Sequence, residues 1–434
     1  MFTTPMSVTT DALLPADVAT SLLDPRAHAE PDRIHTAYSW ARANNPLGIA
    51  QVEGFDPFWA VTKHADIMEV GRNSANYSNA ARSAIAFPSR TIEHFIAMAG
   101  KPNSADTLIA LDDPQHRQLR GLTQGWFMPG SLLKLDERIR AIARASVAKL
   151  RDHGGECEFV ADLALHYPLR VVMEILGVPA EDEPLMLRLT QEILAPQDPE
   201  LSRNSAAAVD PIEQAKQLGA VIADFARYFA GITADRLKNP RNDIATVLAN
   251  AQIDGQALDD GVRASYYMVV ATAGHDTTSS STATAMWALA RDPALLARLK
   301  AEPKLIGGFV DEAIRWGTPV RHFMRTALVD TELRGRHIRR GDWLMLCYAS
   351  GNRDEEVFER PFDFVIDRAS AKHVAFGYGT HVCLGQHLAR MEMRLLFEEL
   401  VPRLEALELA GDMPLSASNF ISGPKRLPIR YRLN

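Results

Sequence analysis

A cysteine able to bind a metal stands at the end of a glycine-rich loop in the C-terminal part of the sequence. The stretch from Phe376 to Gly385 reads Phe-Gly-Tyr-Gly-Thr-His-Val-Cys-Leu-Gly, and its cysteine is Cys383. The two inner glycines allow a tight loop, and an apolar helical run follows the cysteine. A thiolate at the start of a helix is favoured by the helix dipole and by unpaired N–H groups, so we expect a lowered pKa for Cys383.

The neighbours of Cys383 suit a planar iron cofactor. Gly385 has no side chain and would let the following helix lie flat against such a cofactor, while Phe376 would shield the sulfur from water. These are the requirements of a thiolate axial ligand to haem iron. The alternative for a single cysteine is a small buried residue, and we assign that role to Cys157 and Cys347. Three widely spaced cysteines also exclude a disulfide framework, a CxxC zinc site and a four-cysteine iron–sulfur cluster.

A second group of reactive side chains lies inside the most apolar helical segment, which runs Ala-Gly-His-Asp-Thr-Thr from Ala273. Glycine and threonine weaken a helix interior, and a threonine hydroxyl can bond the carbonyl four residues earlier. We therefore expect Thr277 to bond Ala273 and open the helix, with Gly274 leaving room for a diatomic ligand. Asp276 and Thr277 would supply an acid and a hydroxyl for a proton relay. The alternative is Ser/Thr-rich packing around a solvated aspartate.

The elements that must position these motifs are mainly helical, with a small strand-rich region. Residues 1–35 contain four prolines without a sustained period, and we expect a loosely structured leader there, followed by one compact domain over residues 36–434. Periodicity predicts helices at 132–150, 161–177, 184–195, 213–238 and 258–291. An early hairpin is predicted at 49–52 and 58–61, and further strands near 323–328, 338 and 343–346.

Composition limits the class of protein further. The 434 residues are 47% hydrophobic, which supports a sizeable core, and the net charge is −7, which argues against a dedicated nucleic-acid binder. The most apolar stretch, Tyr266–Ala290, is interrupted by His275, Asp276 and many hydroxyls, so we expect no membrane span. With no secretory signal visible, we expect a soluble, cytoplasmic protein.

Taken together, the loop and the helix resemble the haem-binding and oxygen-activation motifs of the cytochrome P-450 family. The segments 271–281, 352–358, 383–389 and Gly423-Pro-Lys are similar to the bacterial branch that hydroxylates α-terpineol. The resemblance runs from about residue 15 to the C-terminus. It implies a single-domain, mainly α fold with a small β region and a buried haem b, and it implies hydroxylation of a substrate by O2.

The resemblance also implies roles for individual residues. Cys383 becomes the iron ligand, Thr277 donates a hydrogen bond to the oxygen being activated, Asp276 controls proton delivery, and His275 faces away from the haem. Glu312 and Arg315 become a structural ion pair whose third partner is Arg353 or Arg368. The resemblance assigns the haem propionates to four basic side chains, His116, Arg120, Arg325 and His381. His116 and Arg120 also share one helix face. Arg117 points elsewhere.

The substrate is expected to be an apolar molecule of about ten to fifteen carbons, because the positions implied to contact it carry no charge. A monoterpenoid such as terpineol and an aromatic hydrocarbon both fit. Each of the phenylalanines in the set could equally belong to the core. The implied contacts are Phe87, Phe95, Ile96, Met98, Ala273, Val320, Phe323 and Phe420.

No flavin, nicotinamide or cluster motif is present, so we expect electrons from a separate iron–sulfur ferredoxin with its reductase, acting on a monomer. Basic docking contacts are predicted at Lys372, Arg390, Arg394 and Arg117. Two alternatives remain. A peroxide-driven peroxygenase typically lacks the acid–alcohol pair of Asp276 and Thr277, and a haem-based sensor would need an effector domain for which no residues are left.

Overall fold

The computed structural model describes residues 10–194, 197–198, 200, 210–368 and 372–434. The helices of the described chain are α1 Ala16–Leu23, α2 Pro25–Ala29, α3 Pro31–Asn44, α4 His64–Arg72, α5 Ser89–Ala99, α6 Gln115–Thr123, α7 Pro129–Leu132, α8 Asp136–Lys149 and α9 His166–Leu176. They continue with α10 Glu183–Leu194, α11 Pro211–Lys238, α12 Ile244–Ala249, α13 Asp260–Ala273, α14 Asp276–Arg291, α15 Pro293–Ala301, α16 Ile306–Gly317, α17 Tyr348–Gly351 and α18 Gln386–Leu400.

The strands of the described chain are short, with two to six residues each. They are β1 Leu47–Ala50, β2 Phe58–Val61, β3 Tyr77–Ser78, β4 Glu156–Glu158, β5 Gln252–Ile253, β6 Gln256–Ala257, β7 His322–Ala327, β8 Thr331–Leu333, β9 Arg336–Ile338, β10 Trp343–Cys347, β11 Leu404–Leu409 and β12 Pro428–Leu433. The architecture is therefore mainly α with a small β region, as predicted. The early hairpin and the strands around residues 323–346 are also confirmed.

The main sheet has the strand order β1-β2-β10-β7-β3. Strand β1 pairs antiparallel with β2, β2 pairs parallel with β10, and β10 pairs antiparallel with β7, where Met345 faces Met324. A second sheet has the order β11-β12-β4, and two small hairpins complete the strands. Strand β10 is buried along its whole length, which explains its continuous apolar sequence Trp-Leu-Met-Leu-Cys.

Aspartate side chains cap the N-termini of several helices, and in two of them a proline follows the aspartate. The carboxylate of Asp210 accepts from two N–H groups at the start of α11, where Pro211 takes the first helical position. Asp292 and Pro293 begin α15 in the same way, and Asp259 caps α13. These side chains satisfy the free N–H groups of the first turn, so the helix starts are set locally by the sequence.

The largest hydrophobic core is built by α8, α9, α13, α14, α16 and α18. Helix α18 packs against α8 and α16, and α16 packs against α14. Within this core the predicted single helix over residues 258–291 is divided into α13 and α14, with Gly274 and His275 between them. The break lies in the segment where the sequence places its weak helix formers.

The prediction of a loosely structured leader is wrong for the described residues before position 36. Residues 16–35 contain α1, α2 and the start of α3, and Leu22 and Ile34 are buried in a second hydrophobic cluster. The prolines misled the prediction because Pro25 and Pro31 occupy the first turn of helices, where the missing N–H costs nothing. No helix of the described chain is long and apolar enough to cross a membrane.

Candidate active site

Cys383 lies at a cavity of about 220 Å³ enclosed between the α13–α14 break, α6 and the glycine-rich loop. Thr277 of α14 and Arg120 of α6 line the same cavity. The structure thus brings the two motifs together, although 106 residues separate Thr277 from Cys383 in the sequence. A thiol, a hydroxyl and a cationic group share one enclosed space.

The loop before Cys383 is held by backbone contacts. Gly377 and Gly379 both adopt positive φ angles, of 69° and 77°, and a Cβ at Gly379 would overlap the backbone of Gly71. The N–H of Cys383 donates to the carbonyl of Phe376 at 2.9 Å, which closes the loop. A substitution at Gly379 would therefore displace the loop that carries the cysteine.

The surroundings of Cys383 have the predicted shape. Gly385 lines the cavity, and a Cβ placed on it would meet no atom within 4 Å, so this surface stays open. The ring of Phe376 also lines the cavity, and the guanidinium of Arg390 lies 4.4 Å from its centroid. This stacking fixes the aromatic ring beside the cysteine.

For the polypeptide without a metal on the sulfur, the prediction of a lowered Cys383 pKa is wrong. Burial raises the pKa of the thiol, and this effect exceeds the opposing contributions of the Gly385 N–H, Arg120, Arg390 and the Gln386 N–H. The sequence indicated the favourable groups correctly but not the depth of burial. Metal coordination of the sulfur would remove the proton.

Basic side chains converge at one end of the cavity. The rings of His116 and His381 lie 4.0 Å apart by their centroids, and Arg120 donates to the carbonyl of Val382 at 2.8 Å. Burial, followed by the charges of Arg325, His116 and Arg120, lowers the pKa of His381 to about 2. Burial likewise lowers the pKa of His116.

The two arginines of this basic group have no acidic ion-pair partner among the described residues. Neither Arg120 nor Arg325 pairs with a carboxylate there, whereas Nδ1 of His116, which forms no hydrogen bond, lies 3.6 Å from Oδ1 of Asp113. A buried cation without a counter-ion destabilises the folded protein, so these arginines favour the binding of an anionic group. The two propionates of a haem would supply that charge, so the residues present fit this cofactor.

The helix break has the predicted hydrogen bond. Thr277 donates its hydroxyl hydrogen to the carbonyl of Ala273 at 2.8 Å, and both residues line the Cys383 cavity. Gly274 also lines it, but a Cβ on Gly274 would come within 2.6 Å of Val172 in α9. The missing side chain is thus required first by packing against α9 rather than by space for a diatomic ligand.

His275 faces away from the cavity, as predicted, and is fully buried. Its Nε2 lies 2.8 Å from the carbonyl oxygen of Leu165, and its Nδ1 lies 2.8 Å from the hydroxyl of Thr190. Nδ1 is also 3.2 Å from Oδ1 of Asp276. The imidazole ties the helix break to the neighbouring segment and to α10.

Asp276 does not line the Cys383 cavity with Thr277. It lines a separate cavity of about 440 Å³, together with charged residues that include Glu158, Lys425 and Arg426. Its side chain is 15% exposed. Burial raises the pKa of Asp276, and His275 partly opposes that shift. The predicted acid and hydroxyl are adjacent in sequence but reach different cavities.

Sequence reasoning missed Glu392, an acid on the cavity side of α18. It is 1% exposed, lines the Cys383 cavity, and its Oε2 has no hydrogen-bond partner. Burial raises its pKa well above the usual range, opposed by a hydrogen bond from Thr278. Its position among the apolar residues of α18 was a signal that could have identified it.

Glu312 and Arg315 form a buried, two-armed ion pair, with both nitrogen–oxygen distances at 2.7 Å. The third partner is Arg368, whose Nε lies 3.0 Å from Glu312 Oε1. Arg353 instead donates to the backbone carbonyl of Trp316. Arg315 also donates to carbonyls of the 352–363 segment, so the network fixes the chain that leads to the cysteine loop.

The predicted substrate contacts divide between two neighbouring cavities. Ala273, Val320 and Phe323 line the Cys383 cavity. Phe87, Phe95 and Phe420 line an adjoining cavity of about 130 Å³. Both cavities share Ile109 and Val269 in their walls, so they lie next to each other.

Two members of that predicted set lie elsewhere. Ile96 packs beside the second hydrophobic cluster and lines neither cavity. Met98 is 75% exposed, so its prediction as a substrate contact is wrong. Met98 follows Phe95 by three residues and so lies on the same side of α5, but it is the last residue but one of the helix, beyond the buried residues Thr91, Ile92 and Phe95.

Of the predicted docking residues, Arg117 and Lys372 are exposed. Arg390 is paired with Asp311 at 2.7 Å, and Arg394 with Glu398 at 2.6 Å, so acids neutralise both. Free positive charge on this face is therefore smaller than the sequence indicated.

Comparisons with known proteins agree on one family. The cytochrome P450 family model matches residues 70–429. The chain is 47% identical to cytochrome P450-terp of a Pseudomonas species over 421 residues, covering 97% of this chain and 98% of that protein. It is 33% identical to linalool 8-monooxygenase of Pseudomonas putida over 397 residues, covering 91% and 95%.

Solved structures give the same result. CYP108D1 from Novosphingobium aromaticivorans superposes with a TM-score of 0.89 at 42% identity, covering 97% of this chain and 100% of that chain. CYP268A2 of Mycobacterium marinum, solved in complex with pseudoionone, superposes with a TM-score of 0.86 at 29% identity, covering 98% and 100%.

Proposed function

The chain belongs to the cytochrome P450 family, and from this premise we propose that it hydroxylates a monoterpenoid with electrons from a ferredoxin. It is an oxidoreductase of the haem-thiolate monooxygenase class, which takes a substrate, O2 and a redox partner. The observation that carries the proposal is the single cavity lined by Cys383, Thr277 and the basic group around Arg120.

Each of these residues has a proposed role in holding the cofactor. Cys383 supplies the thiolate to iron, and Phe376, stacked under Arg390, keeps water from the sulfur. His116, Arg120, Arg325 and His381 would hold the propionates, while Gly385, where a Cβ would meet no atom within 4 Å, would leave room for the cofactor. Bound haem would supply the activation of O2, so that R–H, O2, two electrons and two protons give R–OH and water.

The proposed catalytic groups handle protons. The hydroxyl of Thr277 is free to exchange its bond to Ala273 for one to an oxygen atom in the cavity, and it would hold a proton at that point. Asp276 meets solvent through the charged cavity that contains Lys425 and would restore the proton. Asp276 and Thr277 are neighbours at the break between α13 and α14, so the proton would pass from the charged cavity to the Cys383 cavity at this point.

Several finer features belong to the same proposal. The enzyme would be a monomer with one catalytic domain that includes residues 16–35, which pack into it. A ferredoxin would dock on the face containing Arg117 and Lys372. The apolar walls formed by Val320, Phe323 and Ala273 support a hydrophobic substrate, and the names of two relatives, cytochrome P450-terp and linalool 8-monooxygenase, favour a terpenoid.

An optical titration tests the substrate class. Purified haem-loaded protein is titrated with α-terpineol, linalool and a matched set of aromatic hydrocarbons. A substrate that displaces water from the iron moves the Soret band to shorter wavelength. We expect the monoterpenoids to produce this shift and to yield hydroxylated product with NADH, ferredoxin and reductase. A response confined to aromatic hydrocarbons, or product formation with peroxide alone, would contradict the proposal.

A further inference from the structure

The cavity of about 130 Å³ next to the Cys383 cavity has an apolar wall that contains one unpartnered amide. Its apolar surface includes Phe95, Leu218 and Met268. Gln214, from the first turns of α11, lines the same space. Since the two cavities adjoin at Ile109 and Val269, a molecule oxidised beside Cys383 and long enough to pass these residues would extend into this part.

Most polar side chains in this cavity are already bonded to the protein. The amide of Asn103 bonds to the backbone at Arg82 and Ala84, and Thr272 donates to the carbonyl of Met268 at 2.8 Å. Thr91 donates to the carbonyl of Pro211, and Oε1 of Gln197 accepts from the N–H of Asn419. These groups hold the walls and have little left to offer a ligand.

Gln214 differs because its side-chain amide forms no hydrogen bond within the described chain, although the residue is only 7% exposed. Its backbone is well fixed: Asp210 caps α11, and the bond from Thr91 to Pro211 attaches the helix start to α5. Amides of largely buried side chains are nearly always paired. Within the part of the chain that the structure describes, the amide is therefore left to bond a group that enters the cavity.

The other side chains on this wall that form no hydrogen bond within the described chain carry hydroxyls, among them that of Thr107, whereas the amide of Gln197 is already held through its oxygen. A hydroxyl can rotate toward a nearby backbone carbonyl, whereas an amide in an apolar wall cannot satisfy both its oxygen and its nitrogen that way. An amide also accepts from an alcohol and donates to a ketone. This makes Gln214, rather than Thr107, the specific recognition group.

We propose that Gln214 binds an oxygen atom of the substrate, at the end of the molecule away from the carbon that is hydroxylated. The inference rests on the proposed monoterpenoid function and narrows it: the substrate is an oxygenated monoterpenoid, an alcohol or a ketone, rather than a hydrocarbon. Gln214 then determines specificity and also the carbon that is presented to the haem.

A matched pair of ligands tests this assignment. α-Terpineol and p-menth-1-ene share a carbon skeleton and differ by one hydroxyl, and their dissociation constants are measured from the Soret shift of the haem-loaded enzyme. We expect the alcohol to bind about fivefold more tightly than the hydrocarbon, as for one hydrogen bond. In Gln214→Met the ratio should fall to about one through weaker binding of the alcohol alone, and the product distribution from α-terpineol should broaden.

Thr107→Val is the control, since it removes an unbonded hydroxyl from the same cavity, and it should keep the wild-type ratio. A preserved ratio in Gln214→Met, or its loss in Thr107→Val instead, overturns the assignment. Equal binding of both ligands by the wild type also overturns it, while leaving the monoterpenoid function intact. If neither ligand shifts the Soret band, the proposed function fails, and this inference fails with it.

Discussion

Nδ1 of His275 lies 3.2 Å from Oδ1 of Asp276, inside the break between α13 and α14. Because the carbonyl of Leu165 can only accept, Nε2 of His275 carries a hydrogen. The hydroxyl of Thr190 also lies close to Nδ1, at 2.8 Å. The imidazole therefore lies between that hydroxyl and the Asp276 carboxyl, and it acts on the pKa of the carboxyl at short range.

This relationship predicts the effect of His275→Asn. Burial raises the pKa of Asp276 and His275 lowers it, so removal of the imidazole should raise the Asp276 pKa further. The acid would then ionise only at higher pH, and the pH profile of product formed per NADH should shift toward alkaline values. Thr190→Val, which removes the other Nδ1 neighbour, is the control and should shift the profile less. An unchanged profile in His275→Asn would contradict the coupling.

Cys383→His tests the iron ligand. Histidine can still bind haem, but only thiolate donation gives the reduced CO complex its absorption band at about 450 nm. We expect the variant to lose that band while keeping haem. Cys347→Ser, at a buried cysteine away from the cavity, should keep it. A band that survived in Cys383→His would show that another residue ligates the iron.

Removal of the basic side chains should weaken haem retention. Arg120→Ala and His116→Ala each remove a charge-assisted bond worth about 1.5–3 kcal/mol, less where solvent reaches the group. The measurement is the rate of haem transfer to apomyoglobin, with Arg117→Ala as the exposed control on the same helix. Wild-type retention in the double variant would count against propionate contact.

Thr277→Ala should uncouple electron use from hydroxylation. The variant should bind substrate and consume NADH through its redox partners, but release most electrons as hydrogen peroxide. Loss of one positioned donor in an enclosed site costs about two to three decades in rate. Thr284→Ala removes a similar bond to the carbonyl four residues earlier, outside the cavity, and should stay coupled. Full coupling in Thr277→Ala would mean that another group holds the proton.

Glu392→Gln should change the pH dependence of stability. The pKa of Glu392 is raised in the folded protein, so its carboxyl is no burden below the unfolded pKa of about 4.3. Above that pH it destabilises the fold by up to about 1.4 kcal/mol per pH unit, until the folded pKa is reached. The unfolding midpoint of the glutamine variant should therefore exceed that of the wild type increasingly as pH rises. Parallel curves would contradict a protonated Glu392.

The cysteine loop could be predicted from sequence because its function depends on local backbone geometry. Positive φ at Gly377 and Gly379, and a cysteine just before a helix, are properties of ten consecutive residues. The bond between Thr277 and Ala273 is local in the same sense, since it spans four residues of one helix.

Other features depend on tertiary contacts that no local pattern contains. Arg368 rather than Arg353 joins Glu312 because the chain after α17 returns to α16. The reason for Gly274 lies in Val172, which is 102 residues away in the sequence. The exposure of Met98 and the separate cavity of Asp276 likewise follow from packing between elements.

The placement of Asp276 and Thr277 in separate cavities has a consequence for how substrate and protons reach the site. The charged cavity that contains Asp276 and Lys425 shares no lining residue with the apolar cavities lined by phenylalanines. A ligand that fills the apolar cavities therefore leaves the charged cavity open. If Asp276 supplies protons as proposed, that supply does not depend on the size of the bound substrate.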